Sequence, residues 1–252
     1  MRPSNRLSLS LVGVVLVAGC GGGKSAAPPT TDEMPAAPPP ATTTEASADP
    51  GRAAIQAFVA AAHGGKAEAM WNMLSTASQR RLGPTLAGFR ARASKRLAED
   101  IGSFGRYKVI VSERITPEFG VVAIDGPRVV QGKCVRDVYA AALRLEGDTW
   151  KLELDSPVHV RAVGPDPGAH EDVVAQIAAA VSGEGGAGSA VLYVDGLTEN
   201  PKVYSTATNS TLVVNFEPAL DPGRHTVVAF GNVGRDASAT GWWFTAARKP
   251  RR

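Results

Sequence analysis

The sequence predicts an α+β domain, three helices on a curved antiparallel sheet, followed by an all-β sandwich. Three observations predict this. Apolar residues recur at helical spacing as far as Ile101, the period becomes two from Tyr107 onward, and beyond residue 157 short β-type runs alternate with Pro- and Gly-rich turns.

The chain opens with an apolar run behind Arg2 and Arg6 that closes in Leu16-Val17-Ala18-Gly19-Cys20. As a helix, Leu7 to Ala18 would extend about 18 Å against roughly 30 Å of bilayer hydrocarbon, so it reads as a signal segment rather than a span. These residues resemble the lipobox of bacterial lipoproteins. The resemblance implies removal of residues 1–19, a diacylglycerol thioether on Cys20, and anchoring to the extracytoplasmic face of the cell membrane. Two acyl chains hold such an anchor stably, where one binds marginally. Residues 20–50 are rich in Pro, Ala, Thr and Gly and lack aromatic side chains. That composition predicts a disordered tether, because it buries too little surface to offset the entropy of ordering.

Residues 51–156 carry the helices first. Asp49-Pro50-Gly51 is a helix start, Ile55, Phe58, Val59 and Ala62 form its apolar stripe, and Gly64-Gly65 ends it. A second helix is predicted from Lys66 to Ser75 and a third from Gly83-Pro84 to Gly102, with Leu86, Phe89, Ala93, Leu97 and Ile101 on one face. Strands follow at Tyr107–Val111, Val121–Asp125 and Asp137–Leu145. Gly147-Asp148 then makes a hairpin loop leading to Trp150, Leu152 and Leu154. Three helices before a meander ending in Glu146-Gly147-Asp148-Thr149-Trp150-Lys151-Leu152 resemble the NTF2-like superfamily. The resemblance implies an NTF2-like cone whose interior is either a catalytic cavity or an inert docking pocket.

In residues 157–247 strands are predicted at Val158–Val163, Gln176–Val181, Ala190–Val194, Leu212–Phe216, Thr226–Phe230 and Trp242–Ala246, although the Ala-rich stretch from Glu171 to Val181 reads equally as a helix. Turns stand at Gly164-Pro165-Asp166-Pro167-Gly168, Asp195-Gly196 and Asp221-Pro222-Gly223. Leu192-Tyr193-Val194-Asp195-Gly196, Leu220 to Val227 and the closing Trp242-Trp243-Phe244-Thr245 resemble bacterial Ig-like domains. The resemblance implies a sandwich without the antibody-type disulfide.

The charge is distributed unevenly. Residues 51–156 hold 16 basic and 11 acidic groups, residues 157–247 hold 4 and 9, and the tail 248–252 adds four cations. Such asymmetry can steer the halves against each other. Nucleic acid is not an expected partner, since Arg92, Lys95 and Arg96 are followed by Glu99 and Asp100 and lack interleaved aromatics. With Cys20 acylated, Cys134 is the remaining thiol and is expected to be a small buried hydrophobe. His159, His170 and His225 are scattered, so neither a metal site nor a cofactor is expected.

The candidate cavity residues are Trp71, Tyr107, Asp137 and Tyr139, with Asp137 and Tyr139 on one strand face as the pair that could act as acid and base. Trp71, Phe89 and Leu143 would plug the cone if they filled its interior. Trp242 and Trp243 should face opposite ways, making Trp243 the candidate surface contact for a glycan or protein. The expected function is a non-catalytic, lipid-anchored envelope protein that binds or scaffolds. Its partners would be the membrane through Cys20 and an envelope protein or wall polymer. The alternative is a small-molecule enzyme or carrier using the cavity.

Overall fold

The computed structural model describes Asp49 and residues 51–247, all within one compact unit. The signal segment, Cys20, nearly all of the tether and the basic tail lie outside the described residues.

Five short helices come first: α1 (Arg52–His63), α2 (Ala67–Asn72), α3 (Thr76–Leu82), α4 (Leu86–Arg92) and α5 (Ser94–Ile101). The extra breaks have local causes. Ser75 accepts a hydrogen bond from the Ser78 amide and starts α3, and Thr85 does the same for Gly88 and starts α4. At Ala93, with φ −128°, the predicted third helix divides into α4 and α5.

The strands are β1 (Lys108–Arg114), β2 (Phe119–Val130), β3 (Lys133–Glu146), β4 (Thr149–Glu153), β5 (His159–Gly164), β6 (His170–Glu171), β7 (Gln176–Ser182), β8 (Ser189–Val194), β9 (Leu197–Glu199), β10 (Lys202–Ser205), β11 (Asn209–Asn215), β12 (Gly223–Val233) and β13 (Asp236–Ala246). They form three sheets, ordered β1-β2-β3-β4, β10-β11-β7-β5 and β6-β13-β12-β8-β9. The β2–β3 hairpin is longer than its sequence pattern suggests. Gln131 and Gly132 turn it with φ of 50° and 76°, the left-handed pair that suits a tight hairpin.

The expected NTF2-like cone does not form. A cone keeps one concave sheet face open, whereas here both faces of the β1–β4 sheet are covered. The helices cover one face, with Phe58, Phe89, Leu97 and Ile101 against Val122, Ile124, Ala141 and Leu143. The β8-β12-β13 sheet covers the other, with Tyr193, Val228 and Phe230 against Val121, Ala123, Val138 and Ala142. The far side of that middle sheet packs on the third sheet through Val227, Trp242 and Phe244 against Ile177, Val181 and Leu212. Helices and three sheets therefore stack as four layers, and the connection at residue 156 runs between β4 and β5 inside this stack. The second half contributes two facing sheets of four and five strands.

Middle-layer strands must be apolar on both faces, which explains why Val121, Val122, Ala123 and Ile124 are all fully buried in sequence. Gly241 sets the spacing of two layers. A Cβ there would stand 2.6 Å from Val138 Cγ1, so only glycine lets β13 approach β3 this closely.

Candidate functional site

Of the expected cavity residues, Trp71, Tyr107 and Tyr139 all pack against the helix–sheet core. Trp71 Nε1 donates to the Gly83 carbonyl at 3.1 Å, which pins α2 to the residue that ends α3. Tyr139 meets the edge of Phe104 with ring centroids 6.5 Å apart. Burial, reinforced by the negative charge of Asp100, raises its phenol well above the ordinary tyrosine value, and burial alone raises Tyr107. Both phenols therefore stay neutral at physiological pH.

Asp137 is set apart from these rings. Its carboxylate lies 3.4 Å from Arg128, whose guanidinium rests 5.7 Å from the Phe104 ring centre, and it accepts from the Val138 amide at 2.9 Å. No hydrogen bond joins Asp137, Tyr139, Tyr107 and Trp71 to one another, and none of the four main concavities is lined by Tyr139, Tyr107 or Trp71. The expected plug residues Phe89 and Leu143 are fully buried in the same core. His63 spends its Nδ1 on the Gly102 carbonyl at 2.9 Å.

Asp137 and Trp243 instead both line a depression of about 280 Å³ beside Gly168 and Gly241. Trp242 is buried in the outer core and Trp243 turns to the inner interface, so the two tryptophans do face opposite ways. Trp243 is half-buried beneath Arg224, whose guanidinium carbon lies 5.2 Å from its ring centre. Cys134 differs from expectation. It sits exposed near the tip of the β2–β3 hairpin, because strand residues beyond Asp137 run past the layer that would cover them.

Three charged clusters went unread in the sequence. Asp125, 5% exposed, accepts from Arg136 at 2.7 Å and from Arg224 at 2.9 Å. Burial opposes its ionisation, but the two guanidinium groups outweigh that and hold the carboxyl below the usual carboxylate range. Glu153, fully shielded, is bonded by Arg81, by Arg144 Nε at 2.8 Å and by the Ser75 hydroxyl at 2.5 Å. Arg81 also reaches Asp236 at 2.9 Å, so this cluster ties α3 and β4 to β13. His225 is bracketed by Asp195 through Nδ1 and by the Asp221 carbonyl through Nε2, both at 2.7 Å. Burial lowers its pKa, but the two acceptors prevail and the net shift is upward. The available signal was a lone charge inside an apolar strand, as in Val-Val-Ala-Ile-Asp ending at Asp125.

A wider concavity, about 820 Å³, lies elsewhere. It opens at the end of the stack where the approach to β5, the loop after β7, the β10–β11 turn and the β12–β13 turn converge. Buried Val158 and Val233 line it together with Glu184, Asn209, Arg235 and Asp236. Among the described residues no cluster of His, Cys, Asp and Glu is placed to hold a metal ion. Likewise, no described helix is long and apolar enough to cross a membrane.

No family model and no curated protein matches this chain. Among solved structures it is similar to the endo-beta-1,4-mannanase from Thermotoga petrophila, at 11% identity and a TM-score of 0.30. The match covers 36% of this chain and 20% of the mannanase. The chain thus spans about a fifth of that enzyme's length, and a likeness this slight informs neither fold nor activity.

Proposed function

We propose that this chain is a lipid-anchored protein of the extracytoplasmic membrane face that acts as a non-catalytic binding or scaffold module. The observation that carries the reading is how its buried charges are used. Asp125 bonds Arg136 and Arg224, and Glu153 bonds Arg81 and Arg144, so these groups lock layers together instead of converging on an open cavity. A general acid or base needs reach to a substrate and a pKa near working pH. Tyr139 has its phenol pushed further from that range and its ring packed in a core, which weighs against the acid–base alternative. The anchoring part of the proposal rests on the lipobox-like run ending at Cys20.

The test joins fractionation of wild type and Cys20→Ala with mass spectrometry of the mature N-terminus and crosslinking in intact cells. A diacylated Cys20, release of the variant from membranes and reproducible captured envelope neighbours are expected. An unprocessed N-terminus on soluble intracellular material would overturn the address. Failure to capture any neighbour at saturating crosslinker would overturn the scaffold role.

A further inference from the structure

We infer that the cleft at the β12–β13 turn binds a short peptide segment bearing a primary amine and a free carboxylate. This rests on the binding reading above and gives it a ligand class. The cleft's volume of about 820 Å³ falls in the range of 300–1,000 Å³ typical of ligand sites. Two of its charged groups, unlike those around Asp125, are left over. The side chains of Glu184 and Arg235 line it with no hydrogen bond or ion pair of their own among the described residues. Asp236 is an anchored acceptor: Arg81 takes its Oδ1 at 2.9 Å, and Arg81 is itself secured on buried Glu153. A carboxylate held this way needs no reordering when a ligand arrives.

The chemistry of these groups selects the ligand. Glu184 and Asp236 suit an ammonium group, and the Arg235 guanidinium fits a carboxylate through paired hydrogen bonds. Asn209 adds an amide oxygen for a backbone N–H, its Nδ2 donating one hydrogen to the Thr208 hydroxyl at 3.2 Å. Val158 and Val233 supply an apolar floor for a small side chain. Both charge signs around an apolar floor match a peptide with an amine and an acid. A sugar ring is the poorer match, since its C–H faces are gripped by flat aromatic rings and no Trp, Tyr or Phe lines the cleft.

The test is an NMR titration of the full chain with N-acetyl-Ala-Ala-Lys-Ala, whose lysine carries its one amine, its Nε-acetylated and C-terminally amidated forms, and the trimer of N-acetylglucosamine. Amide shifts at Gly183, Asn209 and Gly234 should saturate with a Kd near or below about 1 mM. Glu184→Gln should weaken the free-lysine peptide about tenfold and leave the acetylated one unchanged, and Arg235→Ala should do the same for the free acid against the amide. Both side chains are exposed and make no internal bonds, so the fold is not at stake. No shift up to about 10 mM, shifts confined to other surfaces, unchanged binding by the variants, or equal binding of the trimer would each overturn the assignment. Mass spectrometry of the recovered peptide separates the two proposals. Intact peptide agrees with both, whereas cleaved peptide with shifts in the cleft keeps the site and overturns the non-catalytic reading.

Discussion

Replacing Asp125 with Asn removes a charge and keeps the shape, and its cost follows from the exposure of the three partners. The Asp125 side chain is 7% exposed, Arg224 26% and Arg136 54%. A charge-assisted hydrogen bond shielded from water contributes about 1.5–3 kcal/mol. An exposed ion pair contributes about 0–1 kcal/mol. Arg224 bonds both Asp125 oxygens across the layer interface, so its share is near the upper value, and the half-exposed Arg136 adds little. The expected loss is about 2–4 kcal/mol at pH 7. Urea unfolding followed by tryptophan fluorescence measures it, with Trp243 beside Arg224 as a local reporter. A double-mutant cycle with Arg224→Gln should return a coupling of about 2–3 kcal/mol. The pH dependence supplies a second check. The folded carboxyl titrates below its unfolded value of about 3.9, so its stabilisation is present above that pH and disappears as pH falls through the folded value. Wild type and Asp125→Asn should therefore converge in acid. A loss below about 1 kcal/mol, a coupling near zero or a gap that persists in acid would refute the reasoning.

His225 works with the opposite sign. Its folded pKa is raised, so its contribution is complete below about pH 6.5 and is lost as pH rises through the folded value; His225→Gln should flatten the stability profile over that window, read from urea midpoints. Gly241→Val should destabilise by about 1–3 kcal/mol through overpacking, lowering Tm by roughly 3–10 °C. Pairing it with Val138→Ala, which removes the atom 2.6 Å from the new Cβ, should restore much of the loss, and an absence of rescue would count against the layer contact. The exposed Cys134 should react with a disulfide reagent at the same rate in native buffer as in urea. A native rate slowed a hundredfold would place the thiol inside.

How far the fold could be read depended on whether a residue's role was local. Helix stripes such as Ile55, Phe58 and Val59, and strands such as Asn209–Asn215, stand close to where spacing places them, because one buried face writes a period into the sequence. The four-layer arrangement could not be read that way. Val121 to Ile124 bury both faces, so the alternation seen in Val121, Ala123 and Asp125 described one interface and concealed the second. Ser75, a recognisable helix cap, would have announced α3, which spacing left out, whereas the division of α4 from α5 at Ala93 carries no such mark. The candidate site was harder still. Asp137 and Trp243 lie 106 positions apart and come to line one depression through packing of sheets, and Arg224 reaches Asp125 over 99. The charge imbalance between the halves was visible, and part of it is spent where Arg81 meets Asp236, whereas Arg224 and Asp125 pair in the opposite sense, a cation of the acidic half with an anion of the basic one.

The doubly covered β2 strand also constrains how the chain is made. Synthesis delivers residues 108–146 long before β12 and β13 exist, so the face carrying Val111, Phe119, Val121 and Val138 has no mate during that interval. A half-made molecule carries a bare greasy wall, the kind of surface that sticks to its neighbours. Timing thus becomes part of the architecture: the early strands must be kept loose or chaperoned until the last hairpin arrives to close over them.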